Sequence, residues 1–215
     1  MRESIQVTGV VVSVMNVGEY DRRVVLLTKE RGRITAFARG ARRQTSQLLA
    51  ATNAFVFATF ELYEGRNAYT LVRPHVKHNF MEMAMEIPGV YYGFYFMELA
   101  DYFGAENVDQ TDMVNLLFVT FKSILKHRVE LKLIRTIFEL RTLVYNGEFA
   151  VDVTECNDET ALYALQFVAT ASLERLYSFS LEAKSEKEFT RIVRKYLNRS
   201  VDRDLKSLDI LETID

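Results

Sequence analysis

Arg39, Arg42 and Arg43 crowd around Gly40 in the stretch FARGARRQTSQLL, at the end of a strand-like run. Three guanidinium groups on one loop are suited above all to receiving phosphate, through fixed charge and forked N–H donors. A solvated surface loop is the plainer reading. The charge distribution speaks for phosphate: residues 1–80 hold 12 Lys and Arg against 6 Asp and Glu, whereas residues 81–215 hold 15 against 23. A basic front joined to an acidic rear points to nucleic acid as the ligand of the front. Phe37 stands two residues before Arg39 and shares its strand face. Turned outward, its ring would give unpaired bases a surface to stack on; turned inward, it is core. Arg33 and Arg73 complete the set of residues expected to meet DNA.

Other groups with chemical potential have weaker settings. His75 and His78 are three apart near a strand end, where i and i+3 point to opposite faces, so they do not make a metal site. Cys156 follows Thr154 and Glu155 with no neighbouring histidine or glycine-rich elbow to activate it. His127, between Lys126 and Arg128, reads as solvated. Glu19 with Asp21, and Asp202 with Asp204, are acid pairs without signs of a pocket. No phosphate loop or dinucleotide fingerprint is present, so no enzyme is expected. No cofactor is expected either. One cysteine excludes an internal disulfide and fits a reducing compartment. In the rear half, Arg128, Lys132 and Arg135 are spaced i, i+4 and i+7, which on one helix would stack three cations along a face able to receive an acidic peptide. A solvated face offset by Glu130 and Glu139 is the alternative.

Two periodicities divide the chain that must position these groups. Up to about residue 78, apolar residues alternate or form short β-branched runs: Val10, Val12 and Val14; Val24 to Leu27; Ile34, Ala36 and Ala38; Val56, Ala58, Phe60 and Leu62; Tyr69 and Leu71. These predict five strands, separated at Asn16–Asp21, Glu30–Gly32, the basic loop and Glu64–Asn67. Five short strands fit an OB-fold barrel better than a sandwich. Phe55 and Phe57 are expected on the face opposite Val56 and Ala58. From about residue 80 the period is that of helices. Tyr92, Tyr95, Phe96, Leu99, Tyr102 and Phe103 share one face; so do Met113, Leu116, Leu117, Phe121 and Ile124, and then Ile134, Ile137, Phe138 and Val144. Gly147 marks the end of the third helix. A fourth is expected over Glu159–Leu176. A last one carries Phe189, Ile192, Val193, Tyr196 and Leu197, with Ser185 and Glu188 as the capping box at its start. The class is α+β: a five-stranded OB-fold barrel at 1–79, followed by an all-helical domain at 80–215. No segment has the run of about 20 apolar residues that a membrane span needs, and MRESIQVTGVVV lacks the form of a signal peptide.

The pieces EYDRRVVLLTKERGRITAFARGARR, FELRTLVYNGE and RKYLNRSVDRDLKSLDIL follow one another in that order. With them the sequence resembles, over nearly its whole length, the RecO family of recombination mediators. Tyr20 and Asp21 precede the second strand, Thr28 and Gly32 span a turn, and Phe138 and Glu139 precede Gly147. Arg203, Lys206, Ser207 and Leu208 stand near the end. The resemblance implies binding to single- and double-stranded DNA and annealing of complementary strands. It also implies loading of the RecA recombinase, with RecR, onto strands covered by single-strand-binding protein. The acidic C-terminal tail of that protein is the peptide expected on Arg128, Lys132 and Arg135. A cytoplasmic, nucleoid-associated location follows. Many family members carry a four-cysteine, zinc-finger-like hairpin after the FEL helix; here NDETALYAL leads straight into the next helix, so zinc is not carried over. The rival readings are a barrel that docks proteins without DNA, and an RNA-binding OB protein.

Overall fold

The computed structural model describes residues 4–150, 152 and 154–214, so that Arg2 and Glu3 of the N-terminal reading lie outside the described residues. The expected strands are present: β1 Ser4–Val17, β2 Asp21–Thr28, β3 Gly32–Ala38, β4 Val56–Tyr63 and β5 Tyr69–Asn79, with a four-residue helix α1, Leu48–Ala51, between β3 and β4. They close into a barrel in the order β1-β2-β3-β5-β4. The closing pair β3–β5 is parallel and short, joining Ala36 to Tyr69 and Phe37 to Thr70. Every other pairing is antiparallel. On β2 to β5 the alternation read from the sequence becomes the barrel interior: Val24, Leu26, Ile34, Ala36, Ala38, Phe60, Leu62 and Leu71 form one buried cluster. On β1, Val7 and Val11 enter it in place of the expected Val10, Val12 and Val14, with Val14 exposed beyond a register shift at Val11–Ser13.

The helices follow: a 3-10 turn at Met81–Met85, α2 Gly89–Phe103, α3 Thr111–Lys126, α4 Leu131–Tyr145, α5 Glu159–Thr170, α6 Ala183–Ser200 and α7 Lys206–Glu212. None among the described residues is long and apolar enough to cross a membrane. Gly147 stands two residues beyond α4 with φ of +71°, the left-handed conformation expected of it. Tyr92, Tyr95, Phe96, Leu117, Phe121, Ile137, Phe138 and Phe189 are fully buried, as their spacing predicts.

Two helix boundaries differ from expectation, and one helix is additional. α5 stops at Thr170, six residues before Leu176, because Arg141 of α4 takes over its terminal carbonyls. Its guanidinium donates to the oxygens of Val168, Ala169 and Ala171 at 2.8, 2.7 and 2.6 Å. α6 begins at Ala183, so Ser185 lies inside its first turn and the Ser185–Glu188 capping box is not formed. Glu188 instead accepts from Arg191 at 2.8 Å and from the Asn157 amide at 3.2 Å, and these bonds hold its carboxyl at about 2. α7 had no counterpart in the periodicity.

The chain forms two compact units, Met1–Met85 with Met97–Val114, and Glu86–Phe96 with Asn115–Asp215. The change from strand to helix at residue 80 is therefore not where the units part. The segment after α2 is bonded to the β2–β3 turn: the Arg33 amide donates to Ala105 O at 3.1 Å, Asn107 to Arg31 O at 3.0 Å and Gln110 to Lys29 O at 3.0 Å. Gly32, at φ +64°, permits this approach, since a Cβ there would run into the Ala105 carbonyl.

Candidate nucleic-acid interface

The basic loop leaves β3 through Gly40, whose φ of +65° suits glycine. Its backbone is pinned at each step. The Gly40 amide donates to Asp21 Oδ1 at 2.7 Å. The Arg42 amide donates to Tyr20 O at 2.8 Å, and the Arg43 amide to Gly40 O at 3.1 Å. Ala41 is buried in the barrel cluster and anchors the loop from below. Arg39, Arg42 and Arg43 are all exposed above it. The Arg43 guanidinium lies 5.1 Å from the centre of the Tyr20 ring, and Arg42 Nη1 reaches Gly18 O at 3.3 Å. Three cations thus stand on a fixed frame, so little ordering cost is added when they meet phosphate. Tyr20 and Asp21 supply that frame from the β1–β2 turn.

Arg22 lies behind the loop. Its Nη1 donates to Leu49 O, Thr52 Oγ1 and Asn53 Oδ1 at 3.0, 3.0 and 2.9 Å, which ties α1 to β2. Burial first, and then the charge of Arg42, lower its pKa from the usual arginine value. Arg22 is therefore a support and not a ligand group. Arg23, one residue on, faces the other way.

Phe37 points outward, 37% exposed, because Ile34, Ala36 and Ala38 take the inward positions of β3. Residues paired directly across strands share a face. Met15 pairs with Arg23, Arg23 with Phe37, Phe37 with Thr70 and Thr70 with Tyr63, which makes one girdle around the outside of the barrel. Cation and ring side by side at Arg23 and Phe37, with a second ring at Tyr63 beyond Thr70, can hold phosphate and stack bases. The β2–β3 part of the girdle ends at the basic loop. Arg23 and Tyr63 were missed by sequence reasoning, since only the strand register sets them beside Phe37.

The remaining expected DNA residues lie elsewhere. Arg33 Nε is held by Asp101 Oδ1 at 2.6 Å. Arg73 is exposed on β5 opposite Glu61. The aromatics of β4 give no second platform: Phe55, Val56, Phe57 and Ala58 are all buried, and Phe57 meets Phe80 edge-on at 5.4 Å. The expectation of opposite faces for Phe55 and Phe57 against Val56 and Ala58 thus does not give one exposed side.

The helical cations do not form the expected row. α3 ends at Lys126, His127 turns the chain at φ +50°, and Arg128 precedes α4 by three residues. Lys132 is exposed, but Arg135 is buried. Arg135 Nε donates to Glu139 Oε1 at 2.8 Å, the Tyr95 hydroxyl donates to the same oxygen at 2.7 Å, and the guanidinium lies 5.3 Å from the Tyr95 ring centre. Burial and the Glu139 charge push the Tyr95 phenol well up. Ile134 and Phe138 are fully buried, so no apolar groove adjoins Lys132 there. Arg128 instead rims a groove of about 770 Å³ with Lys122 and Lys126, over Phe118, Tyr177 and Phe179.

His75 and His78 are three apart on β5, and His78 stacks on Phe80 at 4.0 Å. Cys156 Sγ is 3.3 Å from Asp158 O. Among the described residues no three His, Cys, Asp or Glu side chains are grouped to hold a metal ion. Elemental analysis of the purified chain is accordingly expected to find no stoichiometric zinc, and chelation to leave folding unchanged; one tightly held zinc per chain would contradict this.

Residues 1–80 match the family model for the recombination protein O N terminus, and residues 155–209 that for its C terminus. The chain is 24% identical to DNA repair protein RecO of Acetivibrio thermocellus over 98% of its own length and 97% of the relative's. It is 34% identical to the RecO of Alkaliphilus metalliredigens over 66% of its length and 58% of that protein's. To that of Symbiobacterium thermophilum it is 27% identical, over 97% and 96%. A closed five-stranded barrel carrying a braced basic loop, followed by helices and matched at both ends by the same family, places this chain in the RecO family of DNA repair and recombination proteins.

Proposed function

We propose that the chain is a non-enzymatic DNA-binding mediator that anneals complementary strands and, with RecR, helps load RecA onto strands covered by single-strand-binding protein. The observation that carries this reading is the set of three exposed guanidinium groups on a loop pinned by Asp21 and Tyr20. Phosphates of any sequence satisfy them, in single strands or duplexes, while base pairing between the held strands supplies specificity. Such a protein works in the cytoplasm, at the nucleoid. For the acidic tail of single-strand-binding protein, the groove under Lys122, Lys126 and Arg128 replaces the helix row as the proposed seat, because it sets cations beside the half-buried rings of Phe118, Tyr177 and Phe179.

Binding of matched DNA and RNA oligonucleotides, titrated across salt, tests the reading. DNA binding should weaken steeply with salt. Absence of DNA binding would favour a protein-docking barrel, and a strong preference for RNA would favour an RNA-binding one.

The girdle adds a finer expectation. Phe37→Ala should weaken single-strand binding about 5- to 100-fold, the effect of losing one base-stacking ring, and leave duplex binding nearly unchanged. Equal losses on both substrates, in a fluorescence anisotropy titration, would show that Phe37 does not stack on bases.

A further inference from the structure

Helix α6 has two unlike poles. Ser185, Phe189, Ile192, Val193 and Leu197 are buried. Opposite them, at i, i+3, i+7, i+10 and i+14, stand Lys184, Lys187, Arg191, Arg194 and Asn198, all exposed. The helix's own acids, Glu186 and Glu188, are half-buried on its flanks. The result is a stripe of four cations, Lys184 to Arg194, about 15 Å long from the 1.5 Å rise per residue, which Asn198 extends as a neutral donor. It stands in a stretch, residues 81–215, where acids outnumber bases 23 to 15. Four of its five residues, all but Lys184, also line a groove of about 850 Å³, with Lys132, Arg135, Thr136 and Glu139 of α4 on the other wall and the acids Glu186 and Glu212 beside the cations.

We propose that this stripe is a second surface for a nucleic-acid backbone, separate from the barrel loop. The inference rests on the DNA-binding reading above and deepens it, since annealing requires one protein to hold two strands. The stripe suits phosphates and not an amphipathic peptide, because no large apolar side chain is exposed on α6 or lines the groove. Its cations recur once per turn, which matches a polymer with evenly repeated charge. Two of them have acidic partners: Arg191 bonds Glu188 at 2.8 Å, and Arg194 lies 3.7 Å from Glu212. The Arg194–Glu212 pair is exposed on both sides, so its exchange for phosphate costs little, whereas Arg191 stays bound to the mostly buried Glu188 through two 2.8 Å bonds and adds charge without leaving its partner.

The test uses the full-length chain and a labelled oligothymidine. With Arg39, Arg42 and Arg43 changed to Ala, a weaker, salt-dependent binding should persist. Adding Lys184→Gln, Lys187→Gln and Arg194→Gln should lower it at least ten-fold and flatten its salt slope by roughly 2 log units, about 0.7 for each lost contact on a single strand. Replacing Lys184 and Lys187 by Arg instead should preserve it, and because all these positions are exposed the thermal midpoint should not move. If the loop substitutions alone remove all binding, or if the glutamine changes have no effect, the stripe is not a DNA surface although the DNA-binding reading stands. If the unaltered chain binds no DNA, both fall. Should polyglutamate but not oligothymidine bind in a stripe-dependent way, the stripe is a peptide site and the proposal is overturned.

Discussion

Replacing Arg39, Arg42 and Arg43 together by Ala is expected to weaken binding to single-stranded DNA of any sequence by about two orders of magnitude at low salt. The slope of log affinity against log salt should flatten by roughly 2 units, because three phosphate contacts no longer release counterions. Stability should hardly change: the three side chains are exposed, while the loop is held by Ala41 and by backbone bonds to Asp21 and Tyr20. Asp21→Ala offers a complementary result. It leaves every cation in place but frees the Gly40 amide, so affinity should fall by less than in the triple variant while the salt slope stays near that of the unaltered chain. Unchanged affinity and slope in the triple variant would remove the loop from the site.

The second large effect concerns the interior of the helical unit. Arg135 and Glu139 leave only 9% and 4% of their side chains exposed, and Tyr95 donates its hydroxyl to the same carboxylate. Glu139→Ala should destabilise this unit by about 3–5 kcal/mol, since it removes the nearest anion of a buried guanidinium, whose Nη2 keeps Glu212 only at 3.9 Å, together with the acceptor of a buried hydroxyl. Replacing the whole group by apolar residues, Arg135→Met with Glu139→Leu and Tyr95→Phe, should recover most of the loss, because no orphaned polar group is then left. Urea denaturation followed by circular dichroism measures both. A cost below about 1 kcal/mol for Glu139→Ala would mean that water reaches the group.

Much of the barrel was legible because its strands alternate: Ile34, Ala36 and Ala38 must face one way, and they do. The same alternation leaves Phe37 outside once those three are inside. The girdle was not legible, because its other members, Met15, Arg23, Tyr63 and Thr70, come from four other strands and depend on register. The Arg128 row failed at one residue. KSILKHRVELKLIRT contains no glycine or proline, yet His127 adopts a positive φ, which histidine takes more often than most residues but too seldom to mark a break, and the helix ends there. Arg135 was misjudged for another reason: a cation among Ile134, Ile137 and Phe138 reads as surface unless its i+4 partner, Glu139, is recognised as buried with it. The end of α5 is set by Arg141, about 30 residues earlier in the chain, and so has no local signal.

Annealing of two complementary strands, each precoated with single-strand-binding protein, tests the central claim most directly. The unaltered chain should speed duplex formation well above the uncatalysed rate, and the Arg39, Arg42 and Arg43 alanine variant should lose most of that acceleration while remaining folded. Acceleration that persists in full in the folded variant, or its absence in the unaltered chain, would contradict the account.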